Sequence, residues 1–201
     1  QKQIDAIFYV TQPIHQPLEY VTNPNLRQDV REEEMQQLVA ILQKHNVQII
    51  RANRIECYDI SNIQGTNPTA SMVVFTNGEK DGSQYRRFKM KTKGPNDFAM
   101  MKEVLTRRLK HDEWPTPDLI VIDGGKGQVS SAWEVLQTTS STIPLIGLAK
   151  REETIITPDF TEILLPKKSP ALQLIMRIRN EAHRFAVTYH KKLRSKAMIT
   201  N

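Results

Sequence analysis

Two strand-like segments that each end in an aspartate constrain the fold of this chain more than any other feature. Residues 119–122 are continuously apolar, which is typical of a central strand buried on both faces. Asp123 follows, and Gly124 and Gly125 then allow a sharp turn into a helical segment over residues 129–136. In open sheets of this kind ligands bind beyond the carboxyl ends of the strands, so Asp123 is a candidate site residue.

The other segment, RIECYDIS, brings a second aspartate to a strand end. Ile55, Cys57 and Asp59 fall on one side of a strand with a period of two, so Asp59 occupies a position that otherwise suits an apolar side chain. Two carboxylates at adjacent strand ends repel each other unless a cation lies between them. Oxygen ligands favour Mg²⁺ or Mn²⁺, and one or two such ions suit the hydrolysis of a phosphodiester bond.

The remaining hydrophobic patterns predict an α/β fold with a mixed five-stranded sheet, flanked by helices and carrying an inserted hairpin. An amphipathic helix over residues 31–45 leads to the first strand, and a long helix with an apolar stripe ends the chain. Between them the patterns predict strands at 69–77 and 84–92, a helix at 97–110, a strand at 143–149 and a hairpin at 154–165.

Composition agrees with one globular domain. The chain has 201 residues, of which 39% are hydrophobic and 25% charged, and no segment approaches the roughly 18 apolar residues of a membrane span. Cys57 is the only cysteine, so no internal disulfide can form, which fits a reducing cytoplasm. Its place in a strand favours a small core residue over a nucleophile.

Basic residues concentrate near the end of the chain. Residues 167–201 contain nine Lys and Arg but one acid, Glu181. Such residues suit phosphate contacts, which position a duplex without reading its sequence, although a solvated helix face is the usual role of scattered lysines and arginines. The predicted DNA-contacting residues are two that follow strand ends and six from the final helix: Lys126, Lys150, Arg177, Arg179, Arg184, Lys191, Lys192 and Arg194.

A histidine lies at the edge of the final helix's apolar stripe. Ile178, Ala182 and Phe185 belong to that stripe, and His183 is one position beyond Ala182. An edge position lets the imidazole reach a site at the end of the sheet, yet a histidine in such a place is more often structural. His190 shares the same face two turns later and is the competing candidate.

Several motifs follow one another from about residue 54 to 196, and they include YDISNIQGTNPTAS, NDFAMMKEVLTRR, LIVIDGGKGQ and LPKKSPALQLIMRIRNEAHRFAV. In this order they resemble the C-terminal endonuclease half of UvrC, the nuclease of bacterial nucleotide excision repair. The resemblance implies a ribonuclease-H-like fold that makes the 5′ incision beside a DNA lesion. It places the catalytic, metal-binding set on Asp59, Asp123 and His183, and a secondary acidic residue on Asp97.

The resemblance also implies partners and domain limits. The expected partners are lesion-bearing double-stranded DNA and the damage-loading protein UvrB, with no membrane. We expect an N-terminal extension over residues 1–49, with its amphipathic helix packed on or leading into the core, followed by an endonuclease domain over residues 50–201. The family continues on both sides of this segment, so we expect the chain to be part of a longer protein.

Two departures from the family pattern leave other functions open. Asn62 stands where the family usually has histidine, and Asn180 where it has aspartate. Neither position belongs to the implied metal-binding set, but Asn62 cannot titrate near neutrality or bind a metal as an imidazole does. The alternatives are a DNA-binding module of the same fold with impaired catalysis, and a nuclease acting on RNA–DNA hybrids or junctions.

Overall fold

The computed structural model describes residues 24–61, 68–92, 96–150 and 153–199, with the backbone alone for Pro24 and for residues 189–199. Asn62 lies outside these residues. The chain forms two compact units, Gln1–Val30 and Arg31–Asn201, and the elements named below belong to the second unit apart from the start of the first helix. None of the described helices is long and apolar enough to cross a membrane.

Strands and helices follow the predicted order. The helices are α1 (Pro24–Lys44), α2 (Asp97–Arg108), α3 (Lys126–Thr138) and α4 (Pro170–Ile199), with a short 3₁₀ turn at Gly82–Gln84. The strands are β1 (Arg54–Ser61), β2 (Thr69–Thr76), β3 (Glu79–Lys80), β4 (Arg86–Lys89), β5 (Leu119–Asp123), β6 (Leu145–Ala149), β7 (Thr154–Ile156) and β8 (Glu162–Ile163).

One mixed sheet organises the fold. Its order is β3-β2-β1-β5-β6-β7-β8, with β4 also paired to β2, and the central β1, β5 and β6 are parallel to one another. The predicted α/β, ribonuclease-H-like class is confirmed. The described part of the sheet has eight strands rather than the five predicted, because the hairpin β7–β8 extends the sheet from β6 and β3 adds two residues beside β2.

Side chains of the central strands alternate between two cores, one on each face. Helix α4 covers the first face, where Ile178 and Ala182 meet Ile55, Cys57 and Val121 together with Leu38 of α1. Helices α2 and α3 cover the second face over a set that includes Tyr58, Met72, Met101, Ile120, Ile122 and Leu136. Cys57 is fully buried, which confirms its prediction as a core residue.

Close packing holds α3 directly behind the end of β5. Gly147 of β6 leaves room for this helix, since a Cβ there would lie 2.2 Å from Val129 Cγ2 and 3.0 Å from Gly124 O. The helix begins at Lys126, three residues earlier than predicted, with Gly125 as its N-cap. Helix α2 begins at Asp97, where Asn96 Oδ1 accepts a hydrogen bond of 3.0 Å from Ala99 N. Helix α3 therefore starts directly after the carboxyl end of β5, and Phe98 in the first turn of α2 packs against Gly127 in the first turn of α3.

Candidate metal centre

Asp59 and Asp123 lie side by side at the carboxyl ends of two parallel strands. The β1–β5 register pairs Tyr58 with Ile122, so the next residue on each strand is one of the two aspartates. Adjacent strands are about 4.8 Å apart. Asp59 alternates with Ile55 and Cys57, which pack under α4, so both carboxylates lie on the α4 face of the sheet. The structure therefore brings together the two aspartates singled out by the sequence.

Burial disfavours the charge of both carboxylates. Burial, and next the charge of Asp123, raise the pKa of Asp59 to about 7. Burial also raises the pKa of Asp123. The Oδ1 atom of Asp123 is buried and accepts no hydrogen bond from any described residue. A buried acceptor without a donor costs about 1–3 kcal/mol, and the cost is larger for a charged group. A cation beside the pair would offset both costs.

Three other predicted site residues act electrostatically on this pair. Lys150 directly follows β6, and its charge lowers the pKa of both aspartates. Asp97, the first residue of α2, raises the pKa of Asp59. The side chain of His183 is exposed on α4, and its positive form lowers the pKa of Asp123. Lys150, Asp97 and His183 therefore act on the two carboxylates from three different parts of the fold.

An ion pair that the sequence did not predict lies beside Asp123. Arg179 of α4 forms a salt bridge with Glu153, and its Nη2 donates to Asn180 Oδ1 at 3.3 Å. The charge of Arg179 lowers the pKa of Asp123, whereas that of Glu153 raises it. The sequence analysis did not identify Glu153 as an acidic residue near Asp123. Its position three residues after Lys150, in the connection that follows β6, was the feature of the sequence that could have indicated it.

Other predicted DNA-contacting residues are held by carboxylates of this chain. Arg177 makes a two-pronged contact with Glu34, at 2.6 and 2.7 Å. Arg184 pairs with Glu181 at 2.5 Å. The Lys126 Nζ atom lies 2.6 Å from Glu162, and both of these side chains are about half exposed. The side chains of Lys191, Lys192 and Arg194, and that of the competing His190, lie outside the described residues.

The donor set fits a small divalent cation that keeps open positions. Mg²⁺ usually retains several waters and is bound through one or two carboxylates plus substrate phosphates. Within the described ranges no three His, Cys, Asp or Glu side chains are grouped closely enough to hold a metal ion alone. Asp59 and Asp123, with the orphaned Oδ1 of Asp123, supply two carboxylates and leave the remaining positions to water or to a phosphate.

A mixed sheet with two carboxylates at the carboxyl ends of adjacent parallel strands, covered on that face by α4, is the architecture of a ribonuclease-H-like domain. The comparison with known families agrees, because the UvrC RNase H endonuclease domain matches residues 44–187. The chain belongs to this family.

Relatives of high identity support this assignment. UvrABC system protein C of Prosthecochloris aestuarii is 55% identical over 151 residues, which cover 73% of this chain and 24% of that protein. Its counterpart in Flavobacterium psychrophilum is 45% identical over 177 residues, covering 85% of this chain and 30% of that protein. The chain thus spans about a quarter of the length of these relatives. Among solved structures, human ENDOV matches with a TM-score of 0.39 and 13% identity, over 67% of this chain and 86% of that one.

Proposed function

We propose that this chain is a divalent-metal-dependent DNA endonuclease domain that makes the 5′ incision beside a lesion in nucleotide excision repair. The observation that carries the proposal is the pair Asp59 and Asp123, which is partly buried at adjacent strand ends and lacks a described hydrogen-bond donor for Asp123 Oδ1. Membership of an endonuclease domain family supports the reaction, and the relatives named UvrABC system protein C support the repair context.

In this mechanism Asp59 and Asp123 would hold one or two Mg²⁺ or Mn²⁺ ions, and His183 would complete the site or orient the attacking water. A bound ion would stabilise the negative charge that develops on the attacking and leaving oxygens. Water displaces the 3′ oxygen in line, leaving a 5′ phosphate and a 3′ hydroxyl. Lys150, whose charge already acts on both aspartates, attracts the phosphate that enters the site.

The proposed substrate is double-stranded DNA that carries a lesion, delivered by the damage-loading protein UvrB through parts outside or near this segment. The proposed compartment is the cytoplasm. Asp97 has a secondary role, because its charge raises the pKa of Asp59 from the start of α2 and thereby strengthens the demand for a cation. Lys126, Arg177, Arg179 and Arg184, and the side chains of Lys191, Lys192 and Arg194, remain proposed as DNA contacts.

The first experiment incubates the chain with nicked, lesion-bearing duplex DNA and Mn²⁺, alongside Asp123→Asn and His183→Ala. Incision 5′ of the lesion that both variants lose supports the proposed function. Binding without incision, with the family's other domains supplied, would instead indicate a DNA-binding module without catalysis. Preferential cleavage of an RNA–DNA hybrid or a junction in the same assay would change the substrate but keep the chemistry.

A metal titration tests the role of His183. Imidazole is a softer ligand than carboxylate and suits Mn²⁺ better than Mg²⁺, so we expect faster cleavage with Mn²⁺. His183→Asp should narrow the difference between the two metals. Much higher turnover of the unsubstituted chain with Mg²⁺ across the titration would contradict a ligand role for His183.

A further inference from the structure

A row of residues crosses the sheet from the metal centre to its edge. Asp59 on β1 pairs with Ser71 on β2, and Ser71 pairs with Arg87 on β4. Ser71 is buried, and its Oγ lies 3.5 Å from Asp59 O. Because directly paired residues of antiparallel strands share a face, Arg87 lies on the same α4 face as Asp59. With strands about 4.8 Å apart, two spacings put its Cα about 10 Å from that of Asp59.

Contacts with α4 fix the orientation of Arg87. Its guanidinium carbon lies 3.8 Å from the centroid of the Phe185 ring, and its Nη2 donates to Phe185 O at 3.4 Å. The Phe185 ring in turn packs edge-on against Tyr85, with the centroids 5.1 Å apart. Phe185 is two residues after His183, so the helix that carries the histidine also holds the arginine. The side chain of Arg87 is nevertheless exposed to solvent.

We propose that Arg87 binds a backbone phosphate of the strand being cleaved, on the β4 side of the metal centre. This inference rests on the proposed function and adds a second anchoring point to it. A planar guanidinium held on an aromatic ring is well suited to bind phosphate in a two-pronged fashion. A separation of about 10 Å between the two Cα atoms places this phosphate within a few nucleotides of the scissile one.

Strand β4 is basic along the face that carries Arg87. The strand reads RRFK and contains no acid. Lys89 follows Arg87 on the same face and is also exposed. A phosphate at β4 therefore meets two positive charges on one face of the strand.

Arg86 provides a matched control on the same strand. Its side chain lies on the opposite face, where the guanidinium carbon is 5.0 Å from the centroid of the Trp114 ring. Its Nη1 donates to the carbonyls of Ser83 and Tyr85, at 3.0 and 2.9 Å. Arg86→Gln and Arg87→Gln thus remove the same charge from adjacent positions, but only the second removes it from the face of the metal centre.

The test measures DNA affinity as a function of salt, without metal so that no cleavage occurs. We expect Arg87→Gln to raise the Kd about five- to tenfold and to reduce the slope of log Kd against log salt concentration by about one, since one phosphate contact is lost. Arg86→Gln should leave the slope unchanged. Arg87→Lys should retain most of the slope but lose part of the affinity, and unchanged melting temperatures would confirm that the variants fold.

Duplexes with a single neutral methylphosphonate locate the contact. As the neutral linkage is moved through the few nucleotides around the scissile position, the unsubstituted chain should lose affinity at one linkage, and Arg87→Gln should show no further loss at that linkage. An equal loss for both proteins, or an Arg87→Gln variant with unchanged Kd and salt slope, would overturn the inference. Because these measurements need no cleavage, they judge Arg87 even if the proposed incision fails.

Discussion

Two carboxylates on β1, three residues apart and on opposite faces of the sheet, have opposite environments. Glu56 is fully buried, and Arg108 donates to it through Nε at 3.0 Å and Nη2 at 2.9 Å. Arg54 Nη2 donates at 3.0 Å, and the Tyr58 hydroxyl at 2.7 Å. At Asp59, burial and then the charge of the neighbouring Asp123 raise the pKa to about 7.

The difference separates a carboxylate whose charge is paired within the chain from one whose charge is not, as the proposed metal site requires. Permanent cations of the chain neutralise Glu56, so this carboxylate ties α2 to β1 through Arg108. At Asp59 and Asp123 the charge of Lys150 opposes the effect of burial but does not cancel it. A buried charge that is not fully neutralised destabilises a fold, and such strain is typical of functional sites.

Replacing Glu56 and Asp59 in turn by the corresponding amide should separate a role in stability from a role in catalysis. The largest effect is expected for Asp59, on the rate of cleavage. Asp59→Asn should slow cleavage about ten-thousandfold, or roughly 5.5 kcal/mol, because the bound ion contributes several kcal/mol to the transition state. The same change should leave metal-free DNA affinity nearly unchanged, and it should raise rather than lower the thermal stability of the metal-free chain, because it removes a buried charge that is not fully neutralised. A loss of DNA binding equal to the loss of cleavage would show that Asp59 acts in another way.

Glu56→Gln should instead act mainly on stability. We expect the free energy of unfolding to fall by about 3–5 kcal/mol, since the buried guanidinium of Arg108 loses its counter-charge. Denaturant melts of this variant and of Glu32→Gln, an exposed site on α1, provide the measurement and its control. A Glu56→Gln protein as stable as the control would mean that the buried pair contributes nothing to the fold.

Metal binding should stabilise the chain only where both strand-end carboxylates remain. At a Mn²⁺ concentration about 100-fold above its Kd, the folded state should gain about 2.7 kcal/mol. Melting curves with and without Mn²⁺ should show this gain for the unsubstituted chain and not for Asp59→Asn. An equal rise in both proteins would indicate a metal site elsewhere.

A third carboxylate, Glu181, extends the comparison. Its replacement should have the smallest effect of the three. Burial by itself raises the pKa of Glu181, but hydrogen bonds from Arg184 and Lys80 outweigh it and lower the pKa to about 2. Its stabilising contribution is therefore present above pH 4.5 and is lost as the pH falls towards 2. We expect Glu181→Gln to cost about 1 kcal/mol or less at pH 7, because both basic partners are more than half exposed.

The pH series supplies the check on Glu181. The difference in melting temperature between Glu181→Gln and the unsubstituted chain should shrink as the pH falls from 4.5 to 2. A difference that stays constant over this range would show that the carboxylate charge does not contribute, and that Tyr85, which donates to Glu181 at 3.1 Å, accounts for the effect.

Local sequence patterns were sufficient to predict the strands that carry the two aspartates. The apolar run before Asp123 predicted a central strand, and the structure buries its residues Leu119 to Ile122 completely. The alternation of Ile55, Cys57 and Asp59 predicted the face on which Asp59 lies. Both predictions succeeded because strand periodicity and a two-sided apolar environment are properties of contiguous residues.

The partners of the charged side chains could not be predicted from local sequence patterns in the same way. The basic residues of α4 form a uniform group in sequence, yet Arg177 pairs with Glu34, 143 positions away, and Arg179 pairs with Glu153. The hairpin β7–β8 was predicted, but its addition to the sheet edge beside β6 was not. Partners of this kind are chosen by long-range packing, on which the local pattern carries no information.

The sequence by itself determined the fold class, the two strand-end aspartates and the helix that carries His183, since each depends on short-range periodicity and on motifs. The tertiary structure decided which charges remain unneutralised. It neutralised Glu56 with Arg108, left Asp123 Oδ1 without a donor among the described residues, and aligned Arg87 with Asp59 across three strands. The reason is physical: the charge state of a carboxylate depends on everything within a few ångströms, and most of those neighbours are distant in sequence.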